Sequence, residues 1–251
     1  MFKTTLVVLL LSAAVFASPN ARIIGGRAAV RRQAPFVASI RNFGTNFHVA
    51  SGALISDRWV VTCASVLLGR AGNSFDVALG IIDLASSPSG SVTRRSSSIT
   101  PHPGFSATNL DNDIGLINLA GVGSVSYNDF VMPIFFDGIR NDNAVTAVLS
   151  GWGSVTTEVG PTSNTLWILP LTTISNEACE AVHGGRITRD KICTNNSNGN
   201  GICTTSIGSP LVSGLQLIGI ASWTAGCGTT TPNVYTRISS YRTWIGSITG
   251  V

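Results

Sequence analysis

The stretch GICTTSIGSPLV, residues 201–212, joins a glycine- and asparagine-rich loop to an apolar strand. A sharp backbone bend before a strand is a common place for a protein to display a reactive side chain. The residue at the centre of this stretch is Ile207, whose aliphatic side chain has no acid–base or nucleophilic chemistry. The stretch therefore has the form of a display loop, but the residue it displays is inert.

Short apolar segments, separated by Gly, Pro, Asn and Asp, lie on both sides of this loop. Their spacing predicts strands at residues 36–40, 48–56, 58–64, 75–83, 113–119, 144–153, 166–174, 209–213 and 215–223. Gly214 lies between the last two and predicts a tight hairpin turn. The pattern is typical of an all-β protein of the barrel or sandwich type.

One helix is predicted, at the C-terminus. Its apolar residues follow the helical spacing i, i+3, i+4, i+7 and are Tyr241, Trp244, Ile245 and Ile248. One of the two serines at 239 and 240 is the expected N-cap.

The first residues predict a secretory signal peptide. Lys3 is followed by the apolar run LVVLLLSAAVF, and Val15 and Ala17 stand where a signal peptidase reads small residues. The run is too short to cross the roughly 30 Å hydrocarbon core of a bilayer, and no later segment is longer. We therefore expect a signal peptide at residues 1–17 and a secreted, extracellular protein without a membrane anchor.

Composition excludes several classes of partner. The formal net charge of +4 becomes +2 once Lys3 and Arg22 are removed, which is too small to argue for nucleic acid. The three histidines are far apart in sequence, and no cysteine or histidine pair has metal-ligand spacing. We expect no metal and no cofactor.

The chain has five cysteines. In an exported protein this number implies disulfides and one cysteine left over. Four of them lie in the C-terminal third and Cys63 stands alone upstream. The residues by themselves leave the pairing open.

Several motifs occur in a fixed order and together carry a resemblance. They are RIIGG, HVASGALISDRWVVT, DNDIGLINL, GWG, CTTSIGSPLV, IASWTAGCG and PNVYTRISSYRTWI. From Ile23 onward the chain resembles the chymotrypsin-like (S1) serine proteases, most closely the secreted chymotrypsin-like proteins of insects. The resemblance implies two packed six-stranded antiparallel β-barrels with a C-terminal helix and the site in the cleft between the barrels.

The resemblance also predicts how the chain is divided. A short propeptide, residues 18–22, precedes a processing site at Arg22–Ile23, and one S1 peptidase-like domain fills residues 23–251. We expect the boundary between its halves near residues 125–135.

The display loop differs from the family pattern at the nucleophile position, at the acid before it and at the oxyanion glycine. The family pattern Cys-x-Gly-Asp-Ser-Gly-Gly-Pro fits residues 203–210 without insertion or deletion. The nucleophile position then falls on Ile207, the preceding acid on Ser206, and the oxyanion glycine on Thr205. A β-branched residue at 205 disfavours a well-aimed backbone N–H there.

The general base is also replaced. The family sequence Thr-Ala-Ala-His-Cys fits residues 62–66, which puts Ser65 in the histidine position. A serine hydroxyl cannot accept a proton at neutral pH as imidazole does. Asp113 alone matches the triad, and we expect it to be a buried acceptor for the hydroxyls of Ser65 and Ser222. Hydrolysis by the family mechanism is therefore predicted to be lost.

The resemblance implies a cysteine pairing as well. It joins Cys179 to Cys193 and Cys203 to Cys227. The family's third bridge would fall on Ala50 and Val66, and its loss costs roughly 2–5 kcal/mol unless packing offsets it. Cys63 is expected to be a buried small hydrophobe with a free thiol; a substitute nucleophile and an intermolecular bridge are the alternatives.

The specificity pocket of the family is altered too. Its base is Gly201 instead of an acid, Thr224 and Asn233 replace small wall glycines, and we expect the pocket to be partly filled. The edge that pairs with a peptide backbone is kept, so strand addition of a peptide stays open. The pocket-equivalent positions are Gly201, Ile202, Ser222, Trp223, Thr224 and Asn233.

These residues predict a secreted, zymogen-like pseudoprotease that acts by binding an unknown protein or peptide, as a regulator or a decoy, and as a monomer. Two alternatives from other classes are an active digestive endopeptidase of chymotrypsin-like specificity and a structural or storage protein of a secretory tissue. Asn195 begins a glycosylation sequon, Asn-Asn-Ser, in a loop.

Overall fold

The structure is a computed structural model that describes residues 26–119, 124–136, 144–153, 163–196, 201–203 and 206–251. The predicted signal peptide and propeptide lie outside the described residues, as do Arg22, Ile23 and Thr205. Within the described part of the chain, no helix is both long and apolar enough to cross a membrane.

The secondary structure is mostly β, in short strands. The strands are β1 (Arg27–Ala28), β2 (Val37–Asn42), β3 (His48–Leu54), β4 (Trp59–Thr62), β5 (Phe75–Leu79), β6 (Val92–Arg95), β7 (Ser98–Pro101), β8 (Gly115–Asn118), β9 (Thr146–Gly151), β10 (Trp167–Ile174), β11 (Lys191–Thr194), β12 (Pro210–Ser213), β13 (Gln216–Trp223) and β14 (Asn233–Arg237). The helices are α1 (Ala64–Leu67), α2 (Asn176–His183) and α3 (Arg242–Thr249).

The strands form two antiparallel sheets, one from β2–β8 in the first half of the chain and one from β9–β14 in the second half, which β1 joins at one edge. The second sheet has the order β1-β10-β11-β14-β13-β12-β9, and an additional pairing of β10 with β9 closes six of these strands into a barrel. The first half has the order β6-β5-β2-β3-β4-β8-β7 and is a half-barrel. The predicted all-β, two-barrel architecture is thus confirmed, except that the sheet of the first half is open and does not close into a second barrel.

The two edge strands of the half-barrel, β6 and β7, are consecutive in sequence. Between them the N–H of Ser96 donates to the carbonyl of Phe75 over 2.9 Å, and the N–H of Ser97 donates to the carbonyl of Asn118 over 2.8 Å. The chain therefore passes at this point from the β5 end of the sheet to the β8 end. The sheet therefore curves although its edge strands, β6 and β7, do not pair with each other.

Each of the nine predicted strand segments contains a strand, and Gly214 lies in the expected two-residue turn with a φ of +58°. The strands that were not predicted are β1, β6, β7, β11 and β14. Strand β1 has only two residues, and β6 and β7 are polar and partly exposed. Strands β11 and β14 are buried throughout but include Lys191, Asn233 and Arg237. Because these residues are polar or charged, a search for apolar segments does not detect the two strands.

The predicted C-terminal helix is present, but its predicted cap is wrong. Ser239 and Ser240 lie inside a 3-10 turn, Ile238–Tyr241, so the N-cap of α3 is Tyr241 and no side chain caps the helix. Helices α1 and α2 were not predicted. Only Cys179 of α2 is fully buried, so this helix carries no apolar stripe that a periodicity would detect.

Both implied disulfides are present. Cys179–Cys193 ties α2 to β11, and Cys203–Cys227 ties the display loop to the loop after β13. At the place of the lost bridge, Ala50 is fully buried and Val66 packs against the same hydrophobic cluster. Apolar packing therefore replaces the family's third cross-link.

Candidate active site

Asp113 is the centre of the site and is completely buried just before β8. Its Oδ1 accepts the backbone N–H of Ser65 over 2.9 Å, and its Oδ2 accepts the hydroxyl of Ser222 over 2.6 Å. The Asp113 carbonyl accepts the hydroxyl of Thr236 over 2.7 Å. The expected bond from Ser222 is present, whereas Ser65 donates through its backbone and not through its hydroxyl.

Ser65 lies in α1, the single helical turn that follows β4. The short helix turns its backbone N–H toward Asp113, while the residue as a whole is exposed. In the triad template, the aspartate receives a hydrogen bond from the imidazole of the base. Here Asp113 accepts the backbone N–H of Ser65, and the side chain in the base position has no proton-accepting nitrogen.

Ile207 is half-buried and packs against the hydrophobic cluster between the two sheets. Its carbonyl accepts the N–H of Ser51 over 3.1 Å. The next residue, Gly208, has a φ of +81°, and a Cβ at that position would lie 2.0 Å from the carbonyl oxygen of Ser51. The sharp bend of the display loop is thus retained, with an aliphatic side chain at its tip.

The backbone around Ala221 brings the loops together. The Ala221 carbonyl accepts the N–H of Gly208 over 2.8 Å and the thiol of Cys63 over 3.1 Å. Since Ser222 follows directly and donates to Asp113, the display loop, α1 and β13 meet at one point. The structure therefore places Ser65, Asp113 and the loop of Ile207 around one strand end.

Cys63 is fully buried and is the one cysteine outside the two bridges; all five cysteines are described. Burial raises the pKa of the Cys63 thiol well above its ordinary value, and the charge of Asp113 raises it further. The thiolate is the reactive form of cysteine. This environment therefore disfavours a substitute nucleophile at Cys63 and fits the expected buried thiol.

Two serines of the display loop occupy space beside glycines of the second barrel. Ser206 is 1 % exposed, and its Oγ lies 1.9 Å from where a Cβ on Gly153 would be. Ser209 is fully buried and lies in the same way against Gly151. Neither serine carries a charge, so the described part of the loop lacks the acid that precedes the family nucleophile.

Two asparagine side chains lie against Gly201. A Cβ on Gly201 would lie 2.3 Å from Nδ2 of Asn233 and 2.9 Å from Oδ1 of Asn196. Both asparagines are buried, Asn196 donates to the Thr229 carbonyl, and neither amide atom of Asn233 has a hydrogen-bond partner among the described residues. Side-chain amides therefore leave no room for a side chain at the glycine that the resemblance predicts as the base of the specificity pocket.

The remaining predicted positions lie near this pocket. Ile202 is buried, and the hydroxyl of Thr224 donates to the Gly226 carbonyl over 3.1 Å. Asn195 is exposed, as a glycosylation site requires. The contribution of Asn196 was missed, because nothing in a polar loop sequence tells which asparagine turns inward.

His48 was also missed as a notable group. It is 5 % exposed, its Nδ1 shares a hydrogen bond of 2.9 Å with the hydroxyl of Ser39, and its ring meets Trp152 edge-on. Burial, with the positive charge of Arg41 as the second cause, lowers the pKa of His48 from 6.5 to about 3. This histidine is therefore neutral, and it lies on β3, away from the base position. Among the described residues, no group of three or more His, Cys, Asp or Glu side chains is arranged to hold a metal ion.

Comparison with known proteins places these observations in a family. The family model described as trypsin matches residues 23–245. Trypsin-3 of Salmo salar is 31 % identical over 241 residues, covering 94 % of this chain and 98 % of that protein. Trypsin I-P1 of Gallus gallus is 32 % identical, covering 89 % of this chain, and trypsin gamma of Drosophila erecta is 30 % identical, covering 90 %. The chain therefore belongs to the trypsin family of chymotrypsin-like serine proteases.

Proposed function

We propose that this member of the trypsin family is a secreted pseudoprotease, of the kind found among the chymotrypsin-like proteins of insects, that acts by binding a protein or peptide. The observation that carries the proposal is the combination of a buried Asp113 with a non-basic Ser65 and an aliphatic Ile207. Acyl transfer needs a nucleophile and a base within hydrogen-bond reach of one another. Neither role has a side chain able to fill it at these positions.

Two further features fit a binding role, and a third fits secretion. The bend at Gly208, the two disulfides and the buried hydrogen bonds of Asp113 keep the scaffold of the site in place. The amides of Asn196 and Asn233 lie against Gly201, so a partner has to be held by the surface beside it. Two disulfides in one domain are typical of proteins that leave the reducing cytosol, which supports secretion.

A fluorophosphonate probe tests the absence of catalysis, because labelling requires an activated serine. The full chain is expressed with its leader in a secretory eukaryotic cell, collected from the medium and cut at Arg22. We expect no labelling and no cleavage of a panel of fluorogenic peptides, whereas a trypsin treated in parallel reacts with both. Stoichiometric labelling would assign the protein to the active digestive endopeptidases instead.

A restored variant provides the matched positive control within the same scaffold. We expect Ser65→His with Ile207→Ser to give little activity, because Thr205 and Ser206 still disturb the oxyanion loop and triad effects are strongly non-additive. Adding Thr205→Gly and Ser206→Asp is expected to raise activity far more than either pair alone. Robust turnover by the double variant would contradict this interpretation of the loop.

A storage or structural role makes a different prediction. A storage protein needs no selective surface, so its affinity for peptides would be independent of their charge and of single substitutions near the cleft. The selective surface described next therefore also separates these two roles.

A further inference from the structure

Trp223, the last residue of β13, lies between two cationic or ionisable side chains of the segment around α2. The guanidinium carbon of Arg186 lies 4.1 Å from the centre of the Trp223 ring. The ring of His183 meets the indole edge-on at 4.8 Å, and its Nε2 donates to the Pro232 carbonyl over 2.9 Å. We call Arg186, His183 and Trp223 the Trp223 platform.

The backbone that carries Arg186 is fixed on both sides. The two carboxylate oxygens of Glu180 accept the N–H groups of Gly185 and Ile187. The carbonyl of Arg186 itself accepts the ammonium of Lys191 over 2.8 Å. Bonds to charged groups are among the stronger hydrogen bonds in proteins, so Arg186 stands on an ordered turn.

The turn is anchored further into the protein by Lys191, which is 4 % exposed. Its ammonium pairs with the Asp111 carboxylate over 2.7 Å. The positive charge of Lys191 is thereby offset within the protein.

The guanidinium of Arg186 is available to a partner. The residue is exposed, and no described acidic residue forms an ion pair with it. The nearest acids on either side in sequence have other partners: Asp190 pairs with Arg189 over 3.7 Å, and both oxygens of Glu180 accept backbone N–H groups. The indole N–H of Trp223 is buried and out of a partner's reach. The exposed group of the Trp223 platform is thus the cationic guanidinium of Arg186.

The backbone beside the platform has an open edge. Strand β12 pairs with β13 only as far as Ile220, and the bonds of the display loop extend this contact to Ala221. Trp223 pairs with Val234 of β14 on its other side. Among the described residues, no strand pairs with the other side of Ser222 and Trp223, so that side is open to an added strand.

We propose that the Trp223 platform binds an acidic, extended segment of a partner protein, with a carboxylate of that segment against Arg186. Charge complementarity selects this occupant, because an exposed guanidinium lies on the ring of Trp223, whose backbone belongs to the open edge. A neutral segment would pair with the same edge but leave the cation unmatched. The inference rests on the proposed binding function and names the chemistry of the partner.

The test uses two fluorescein-labelled peptides, Gly-Thr-Glu-Thr-Glu-Thr-Glu-Thr-Gly amide and its counterpart with glutamine at each glutamate position. In an extended strand the three acidic side chains share one face. Fluorescence anisotropy with the processed full chain at low salt is expected to give a roughly tenfold lower Kd for the acidic peptide, as for hydrogen bonds to charged groups.

Substitutions assign this preference to the platform. Arg186→Gln is expected to bring the two peptides within about twofold of each other, and Arg186→Lys to keep a preference of at least a few-fold. Arg189→Gln is the matched control, since its side chain is 82 % exposed, lies three residues further along and makes the same change of charge. We expect it to leave the preference intact. All of these side chains are exposed, and equal thermal melting will verify folding.

Three outcomes would overturn the inference. They are equal binding of both peptides by the wild type, no binding of the acidic peptide, and an equal loss of preference in Arg186→Gln and Arg189→Gln. Arg186-dependent binding of a fluorescent heparin fragment without binding of the acidic peptide would assign the platform to sulfated glycans instead. Failure of the proposed function is seen separately, as labelling by the fluorophosphonate probe whatever the peptides do.

Discussion

The surroundings of Asp113 and the tip of the display loop have diverged to different degrees. Asp113 keeps its burial and both of its carboxylate bonds, although the base that it would orient is replaced by Ser65. At the loop tip the backbone bend is kept, but the nucleophile position holds Ile207, which packs against the core. A buried carboxylate without partners costs several kcal/mol, whereas a half-exposed side chain can be exchanged at little cost. Stability therefore explains what was kept, and the exchanged positions are the ones on which the proposed loss of catalysis rests.

The bend of the loop is expected to be the most sensitive part of this contrast. Gly208→Ala should lower the free energy of unfolding by about 4 kcal/mol or more, because it combines a left-handed φ with a Cβ 2.0 Å from the Ser51 carbonyl. Gly44 also has a left-handed φ, +77°, but open space around it, and Gly44→Ala should cost only about 1 kcal/mol. Urea unfolding of the two variants measures the difference. Similar losses would mean that the display loop relaxes freely.

Removing the buried carboxylate is expected to have the second-largest effect. Asp113→Ala leaves the hydroxyl of Ser222 and the N–H of Ser65 without an acceptor and should cost about 3 kcal/mol of unfolding free energy. Asp129→Ala is the surface control, since this carboxylate is 69 % exposed in its pair with Arg32, and should cost less than about 1 kcal/mol. If Asp113→Ala were as mild as the control, Asp113 would have to be kept for a reason other than stability.

His48 is a buried base and contrasts with the buried carboxylate of Asp113. The pKa of His48 is about 3 in the folded chain, below that of an unfolded histidine, so the unfolded chain binds the extra proton at intermediate pH. The contribution of neutral His48 to the free energy of unfolding is complete above about pH 6.5. It is lost as the pH falls toward 3, at up to about 1.4 kcal/mol per pH unit. Urea unfolding between pH 7 and 4 should show a steeper loss in the wild type than in His48→Gln. Parallel pH profiles would mean that His48 is protonated in the folded protein.

The smallest effect is expected at the loop tip itself. Ile207→Ser removes part of an aliphatic side chain that is only half-buried and should change the free energy of unfolding by about 1 kcal/mol or less. Thermal melting measures the change, with Ile220→Ser at a fully buried position as the contrasting variant. A large loss at Ile207 would show that this side chain has become part of the core and was not exchanged freely.

Much of the fold was predictable because strand patterns and ordered motifs are local. The nine apolar segments predicted nine strands, since alternation and turn residues act over a few positions. Strands β11 and β14 escaped because Lys191, Asn233 and Arg237 are buried by partners far away in sequence. Arg237, for example, donates to the carbonyls of Arg189 and Lys191. A polar residue is predicted to be exposed when the distant residue that hydrogen-bonds to it is unknown.

The candidate site divides in the same way. Alignment with the family motifs was enough to predict Ser65, Asp113 and Ile207 at the triad-equivalent positions, because the motif spacing needs no gaps. The alignment could not show that Ser65 donates to Asp113 through its backbone, since that bond depends on how α1 leaves β4. The bond from Ser222 was expected, and that expectation came from the family's geometry and not from the residues by themselves.

The sequence by itself determined the family, the strand-rich architecture and the residue types that stand in the family's motifs. These properties depend on residue identity and spacing along the chain. Only the tertiary structure decided that Cys63 is the cysteine left over, that Asn196 and Asn233 lie against Gly201 and that Arg186 lies on Trp223. Asn196 and Asn233 are 37 positions apart, as are Arg186 and Trp223. Such contacts arise from the packing of α2, β11, β13 and β14 around two disulfides, and no local pattern encodes them.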